Sequence, residues 1–118
     1  MKLFVDVPTI YLHRDPVDFR KSINGLSAIV ELSMQLPLNT GALFVFRSRT
    51  RNRLKILYWD QTGFCLWYKR LERDKFVWPK SDHAVMTLTE EQLHWLLRGL
   101  DFSQLKPHKA IDFTGVFG

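Results

Sequence analysis

A chain of 118 residues that is 46% hydrophobic and 14% aromatic has the size and composition of one independently folding domain. Its seventeen Lys and Arg against twelve Asp and Glu give a formal charge of +5 with His neutral, a balance suited to a polyanionic partner. The single Cys65 excludes an intrachain disulfide, the four scattered histidines make no zinc spacing, and neither an export signal over Met1 to Leu12 nor a run of about 18 apolar residues occurs, so a cytoplasmic protein without membrane attachment is expected.

Ile10 to Leu12 reads as a short strand. After it, Asp15-Pro16-Val17-Asp18 combines an N-cap residue, a proline suited to the first helical position and an early acid, which predicts a helix from Pro16. Phe19, Ile23, Leu26 and Val30 recur at helical spacing through Asn24-Gly25, so the helix kinks or restarts there, and Pro37 ends it around Gln35 to Leu36. From Ala42 to Trp78 the pattern changes to β-rich runs: Leu43 to Arg47, Leu54 to Trp59, Phe64 to Arg70 and Lys75 to Trp78. Turns separate them at Ser48 to Asn52, at Asp60-Gln61-Thr62-Gly63, where the glycine is placed to take a positive φ, and at Glu72-Arg73-Asp74. Connections this short join antiparallel neighbours. Thr89-Glu90-Glu91-Gln92 is a capping box, and Leu93, Leu96, Leu97 and Leu100 form one face of a helix ending around Gly99 to Asp101. The expected fold is a single α+β domain over residues 1–101: an antiparallel meander of three or four strands, an N-terminal helix or helix pair and a C-terminal helix. Residues 102–118 are expected to be an extended tail.

The charge is unevenly spread. Arg47 to Lys80 holds ten basic residues against three acidic ones, and Phe44 to Trp78 holds nine of the sixteen aromatics. A sheet that presents both cations and rings can neutralise phosphates and stack bases. Arg47, Arg49, Arg51, Arg53 and Lys55 occupy every second position, which puts Arg53 and Lys55 on one strand face and Arg49 and Arg51 at a hairpin tip able to enter a groove. With Lys69 and Arg70 they form the candidate nucleic-acid-binding set, and Trp59, Trp67 and Trp78 are candidate stacking residues or partner anchors. Two plainer readings stand beside these: arginines that solubilise an exposed turn, and aromatics that build the core.

No catalytic constellation is legible. Asp60 with Glu72 or Asp74 could hold Mg²⁺, but no spacing makes them converge and turn chemistry accounts for each. Asp15 and Asp18 suit the start of a helix. His13, His83, His94 and His108 fall in four separate segments, Cys65 alternates with strand aromatics, and Asn24-Gly25-Leu26 is no phosphate loop. Neither a catalytic residue nor a metal or cofactor is expected.

The strings Pro16-Val-Asp-Phe-Arg-Lys-Ser-Ile-Asn-Gly-Leu26, Leu43-Phe-Val-Phe-Arg47, Arg53-Leu-Lys-Ile-Leu-Tyr-Trp-Asp60, Gly63-Phe-Cys-Leu-Trp-Tyr-Lys-Arg-Leu-Glu72 and Phe76-Val-Trp-Pro79, with Leu88-Thr-x-x-Gln92 and Leu96-Leu-x-Gly-Leu-Asp101, occur together and in order. They resemble the small TnpB, or Orf2, accessory proteins of the bacterial insertion-sequence family numbered sixty-six, over about Ile10 to Asp101. These are distinct from the much larger RNA-guided nuclease that shares the name TnpB. The resemblance implies a role in transposition beside a separate DDE transposase, which carries the strand-transfer chemistry, and a second small accessory protein. It supplies no catalytic residues.

Two functions are therefore expected to compete. One is a non-enzymatic module that binds DNA, such as the element ends, through the basic hairpin region. The other is a protein-interaction subunit that bridges the DDE transposase and the second accessory protein, with exposed tryptophans as anchors. A single continuous positive face over Arg47, Arg49, Arg51, Arg53 and Lys55 would favour DNA, and acidic helices interleaved with them would count against it.

Overall fold

The computed structural model describes residues 8–105. Five strands form one mixed sheet in the order β4-β3-β2-β1-β5. They are β1 (Ile10–His13), β2 (Leu43–Arg47), β3 (Arg53–Asp60), β4 (Gly63–Arg70) and β5 (Val85–Leu88). β2, at the centre, is covered on both faces and so reads as an unbroken apolar run, Leu43-Phe-Val-Phe46. Leu43 and Val45 face one layer, in which Ile10, Leu12, Leu54 and Ile56 pack on Phe76, Trp78, Phe102 and the apolar face of α2 (Glu90–Leu97). Phe44 and Phe46 face the opposite layer, against Leu26, Val30 and Met34 of α1 (Ile23–Ala28) and its π-helical continuation Ile29–Met34. The molecule is a three-layer α+β sandwich.

The meander β2-β3-β4 is antiparallel as expected, but the sheet has five strands and is not wholly antiparallel. β1 pairs with β2 in parallel, Ile10 opposite Leu43, and α1 provides the crossover that a parallel pair requires. β5 adds antiparallel to the other side of β1. The segment Lys75 to Trp78 is not a strand; Phe76 and Trp78 turn into the core while the Phe76 N–H donates to the Arg51 carbonyl at 2.7 Å.

Residues Pro16 to Ser22 are irregular instead of helical, with one turn at Phe19-Arg20 closed by Lys21 N–H to Asp18 O at 3.0 Å. The acids that suggest an N-cap have arginine partners: Asp15 binds Arg14, and Asp18 accepts from the Arg20 backbone and guanidinium. Val17 meanwhile donates its N–H to Arg47, which ties this stretch to the exit of β2. The helix begins at Ile23 and runs through Asn24-Gly25 into the π-helical segment, which Gln35 ends in a left-handed conformation (φ 56°).

At the β3–β4 turn Gln61, rather than Gly63, takes the positive φ (53°). The capping box at α2 is present in both directions, Gln92 N–H to Thr89 Oγ1 and Thr89 N–H to Gln92 Oε1, and Gly99 (φ 77°) follows the helix end. Phe102 to Gln104 form a 3₁₀ turn, and Phe102 is buried, so the domain continues past Asp101. The rest of the expected tail, residues 106–118, lies outside the described residues.

Candidate nucleic-acid interface

The strand register gathers one end of the sheet into a basic rim. Arg47 stands opposite Leu54, Arg53 opposite Arg70 and His13 opposite Val85. The exits of β1, β2 and β4 and the entries of β3 and β5 therefore share one end, with the Asp60–Gly63 turn at the other. The β2–β3 hairpin projects from the basic end and is fixed by its own backbone: Arg51 N–H donates to Ser48 O at 3.1 Å, Ser48 N–H to Arg53 O at 3.1 Å, and Arg53 N–H to Ser48 Oγ at 3.2 Å. The buried Ser48 thus replaces missing ladder bonds, while Arg51 accepts a positive φ of 62°.

The seven predicted cations do not form one continuous face. Lys55, on the α1 face, donates its Nζ to Phe19 O at 3.0 Å and Lys21 O at 2.8 Å and lies 4.8 Å from the centre of the Phe19 ring. Burial, and secondarily the Arg53 charge, lower its pKa. Arg53 lies over the same ring, its guanidinium 5.5 Å from the Phe19 ring centre. Lys69 projects from the opposite face and donates to Leu97 O at 2.8 Å, which satisfies a carbonyl at the end of α2. Arg70 pairs in solvent with Glu72 at 2.9 Å. Arg47 faces the α2 side, its Nε donating to Arg14 O at 3.2 Å and its guanidinium 5.9 Å from the Trp78 ring centre. The side chains of Arg49 and Arg51 have no hydrogen-bond or ion-pair partner among the described residues.

Two grooves flank the hairpin. One, of about 350 Å³, runs between it and Pro16 to Phe19, and Arg49 and Arg53 line it with Asp18. The carboxyl of Asp18 is held well below the usual carboxylate range by hydrogen bonds from Arg20. The other, of about 400 Å³, lies between the hairpin and Trp78 to Ser81 and is lined by Arg14, Arg47, Arg51 and Lys80 with a single carboxylate, Asp15. The Arg47 pKa is lowered there, first by burial and then by Arg51. Asp15 is lowered chiefly by its hydrogen bond to Arg14.

The tryptophans differ in exposure. Trp78 is 9% exposed and donates its indole N–H to His13 O at 3.0 Å, so it is a core residue and a groove wall, with no free ring face for a base. Trp59 is half-buried and meets Phe64 edge-on at 5.0 Å, and Trp67 is half-buried against the α2 layer. Asp60 stands at the turn end of β3, whereas Glu72 and Asp74 follow the far end of β4, roughly 23 Å away at the ordinary rise of a strand. Cys65 is half-buried opposite Tyr58. Among the described residues no three His, Cys, Asp or Glu side chains gather as a metal site, and no helix is long and apolar enough to cross a membrane.

Residues 8–107 match the family described as IS66 Orf2 like protein. The chain belongs to this family. It is therefore an insertion-sequence accessory protein of Orf2 type, and the matched span covers the whole sheet, both helices and both grooves. Similar proteins include two uncharacterized proteins of Sinorhizobium fredii (strain NBRC 101917 / NGR234). One, y4jC, is 36% identical over 97 residues, 82% of this chain and 83% of its own. The other, y4hO, is 34% identical over 93 residues, 79% of this chain and 81% of its own. No solved structure matches.

Sequence reasoning left Arg14 and Lys80 out of the interface. Lys80 lies inside the basic window and follows Trp78-Pro79, so charge alone could have suggested it. Arg14 has no local signal: only the parallel pairing of β1 with β2 carries it to the hairpin base.

Proposed function

We propose that this protein assists transposition as a non-catalytic DNA-binding module that docks its β2–β3 hairpin end on DNA. The observation that carries this reading is the pair of arginines at the tip, Arg49 and Arg51, whose side chains have no partner among the described residues, beside a groove with four cations and one carboxylate. Arg47 belongs to the interface, with Arg53 and Arg70 on its flank, and Lys55 and Lys69 belong to the fold. Arginine's planar fork suits phosphate and guanine edges. Four to six neutralised phosphates give a log K against log salt slope of roughly −4 to −5.

Fluorescence anisotropy with duplex and single-stranded DNA, bearing element ends or scrambled sequence, across a salt series tests this. The expected result is a steep slope that flattens in Arg49→Ala/Arg51→Ala; absence of binding at low salt would refute it. A bridging role between the DDE transposase and the second accessory protein draws support from the half-exposed Trp59 and Trp67 on β3 and β4. In cells expressing the whole element, partner capture that survives nuclease favours bridging, and capture lost on nuclease favours DNA.

A further inference from the structure

We infer that the groove between the hairpin tip and Trp78 to Ser81 is an oxyanion site that seats one backbone phosphate of a nucleic acid on Arg47, Arg51 and Lys80. The identity of the natural ligand rests on the DNA-binding reading; the site itself rests on the state of the donors. Arg47 is partly buried, yet no carboxylate forms an ion pair with it among the described residues. Its Nε is taken by the Arg14 carbonyl and one guanidinium face by Trp78, which fixes its direction and leaves both Nη groups without a hydrogen-bond partner among the described residues. A partly desolvated cation next to a second cation is costly for folding alone, and an oxyanion offsets both the burial and the Arg51 repulsion that lower the Arg47 pKa.

The groove's own anion does this only in part: the Asp15 charge raises the Arg47 pKa, but by less than burial and Arg51 lower it. The Asp15 carboxylate is engaged by Arg14 at 3.1 Å and 3.4 Å. Arg14 is held in turn by the carbonyls of Ser81 at 3.4 Å and Asp82 at 3.2 Å, so it is a positioning residue that orients Arg47 through its own backbone oxygen. The donors without a partner among the described residues are therefore Arg47 Nη, the Arg51 guanidinium and the Lys80 ammonium. Trp78 is buried with its N–H occupied, so this ring neither reads a base edge nor stacks a base. The site's three cationic donors suit a phosphate, a contact that positions a nucleic acid without reading its sequence.

The test uses the full chain labelled with ¹⁵N, titrated at constant ionic strength with inorganic phosphate, with a thymidine dinucleotide carrying one phosphodiester, and with chloride. The expected result is a saturable shift of the Arg47 Nε–H and Trp78 indole N–H signals with both phosphate probes and none with chloride. Arg51→Gly, which removes a cation from a positive-φ turn position and so keeps the fold, should weaken both about tenfold, the loss of one charge-assisted hydrogen bond. Lys21→Ala, an exposed cation at the entry to α1, should leave them unchanged.

Shifts that are linear, equal with chloride, or indifferent to Arg51→Gly overturn the site. Binding of inorganic phosphate without the dinucleotide supports an oxyanion site and overturns its assignment to a backbone phosphate. DNA binding with a steep salt slope while Arg47 stays unmoved overturns the site and leaves the DNA-binding reading standing. Saturable phosphate binding without DNA binding supports the site and overturns that reading.

Discussion

Lys55 and Lys69, in the body of the sheet, and Arg49 and Arg51, at the hairpin tip, carry the same charge in the same stretch of sequence but meet different groups. Each lysine donates to main-chain carbonyls of another element: Lys55 ties β3 to the loop before α1, and Lys69 ties β4 to the end of α2. The tip arginines meet solvent. Cation count therefore overstates the interface, because a cation whose donors are spent on carbonyls has few left for phosphate. The two flanking grooves repeat the contrast: one sets two cations, Arg49 and Arg53, beside Asp18, and the other gathers four cations around Asp15.

Substitutions in the body should cost stability, and those at the tip should cost affinity. The largest stability effect is expected from Trp78→Ala, which removes a buried ring and its bond to His13 O; about 3–5 kcal/mol should be lost in denaturant unfolding. Because Arg47 stacks on that ring, this variant links the two regions, and any remaining folded protein should bind DNA more weakly. Lys55→Ala strands two carbonyls and should lose about 1–3 kcal/mol, with DNA affinity below its melting range within about twofold of the parent. Lys69→Met should cost about 1 kcal/mol through the unsatisfied Leu97 carbonyl. Arg51→Gly should reverse the pattern: stability within about 0.5 kcal/mol of the parent, or above it because the positive φ is relieved, with DNA affinity down about tenfold.

The smallest effect concerns pH. Arg20 depresses the Asp18 pKa in the folded state, so this group contributes stability that is complete above its unfolded pKa, about 3.9, and is lost as pH falls through the lower folded value. The urea midpoint of Asp18→Asn should lie slightly below that of the parent at pH 6, and the two should converge as pH drops below about 4. Solvent exposure of the pair keeps the difference small.

What was legible in the sequence was local. β2, β3 and β4 announce themselves because alternation and two-sided burial act on adjacent residues, and Thr89 and Gln92 specify their cap within four positions. The parallel β1–β2 pair was not legible, since nothing in Ile10-Tyr-Leu12 says that its partner lies beyond a crossover helix. β5 is four residues long, with no hairpin turn to mark it. Asp15-Pro16-Val17-Asp18 suggested a helix because cap chemistry and turn chemistry use the same residues, and the arginines at 14 and 20 decided between them. Lys75 to Trp78 suggested a strand because Phe76 and Trp78 both point inward, a pattern an irregular segment packed on a core also produces. At the site, the spacing of Arg49 and Arg51 correctly placed them at a tip, but the split of Arg47 from Lys55 onto opposite faces, and the arrival of Arg14, depend on register and tertiary pairing.

Salt dependence of DNA binding, measured side by side for the parent, Lys55→Ala/Lys69→Met and Arg49→Ala/Arg51→Gly at a temperature where all three are folded, tests the division most directly. The parent and the body variant should share a slope of roughly −4 to −5, and the tip variant should be shallower by about 1.8, the loss of two phosphate contacts. A body variant that flattens as much as the tip variant, or a tip variant with the parent's slope, would contradict it.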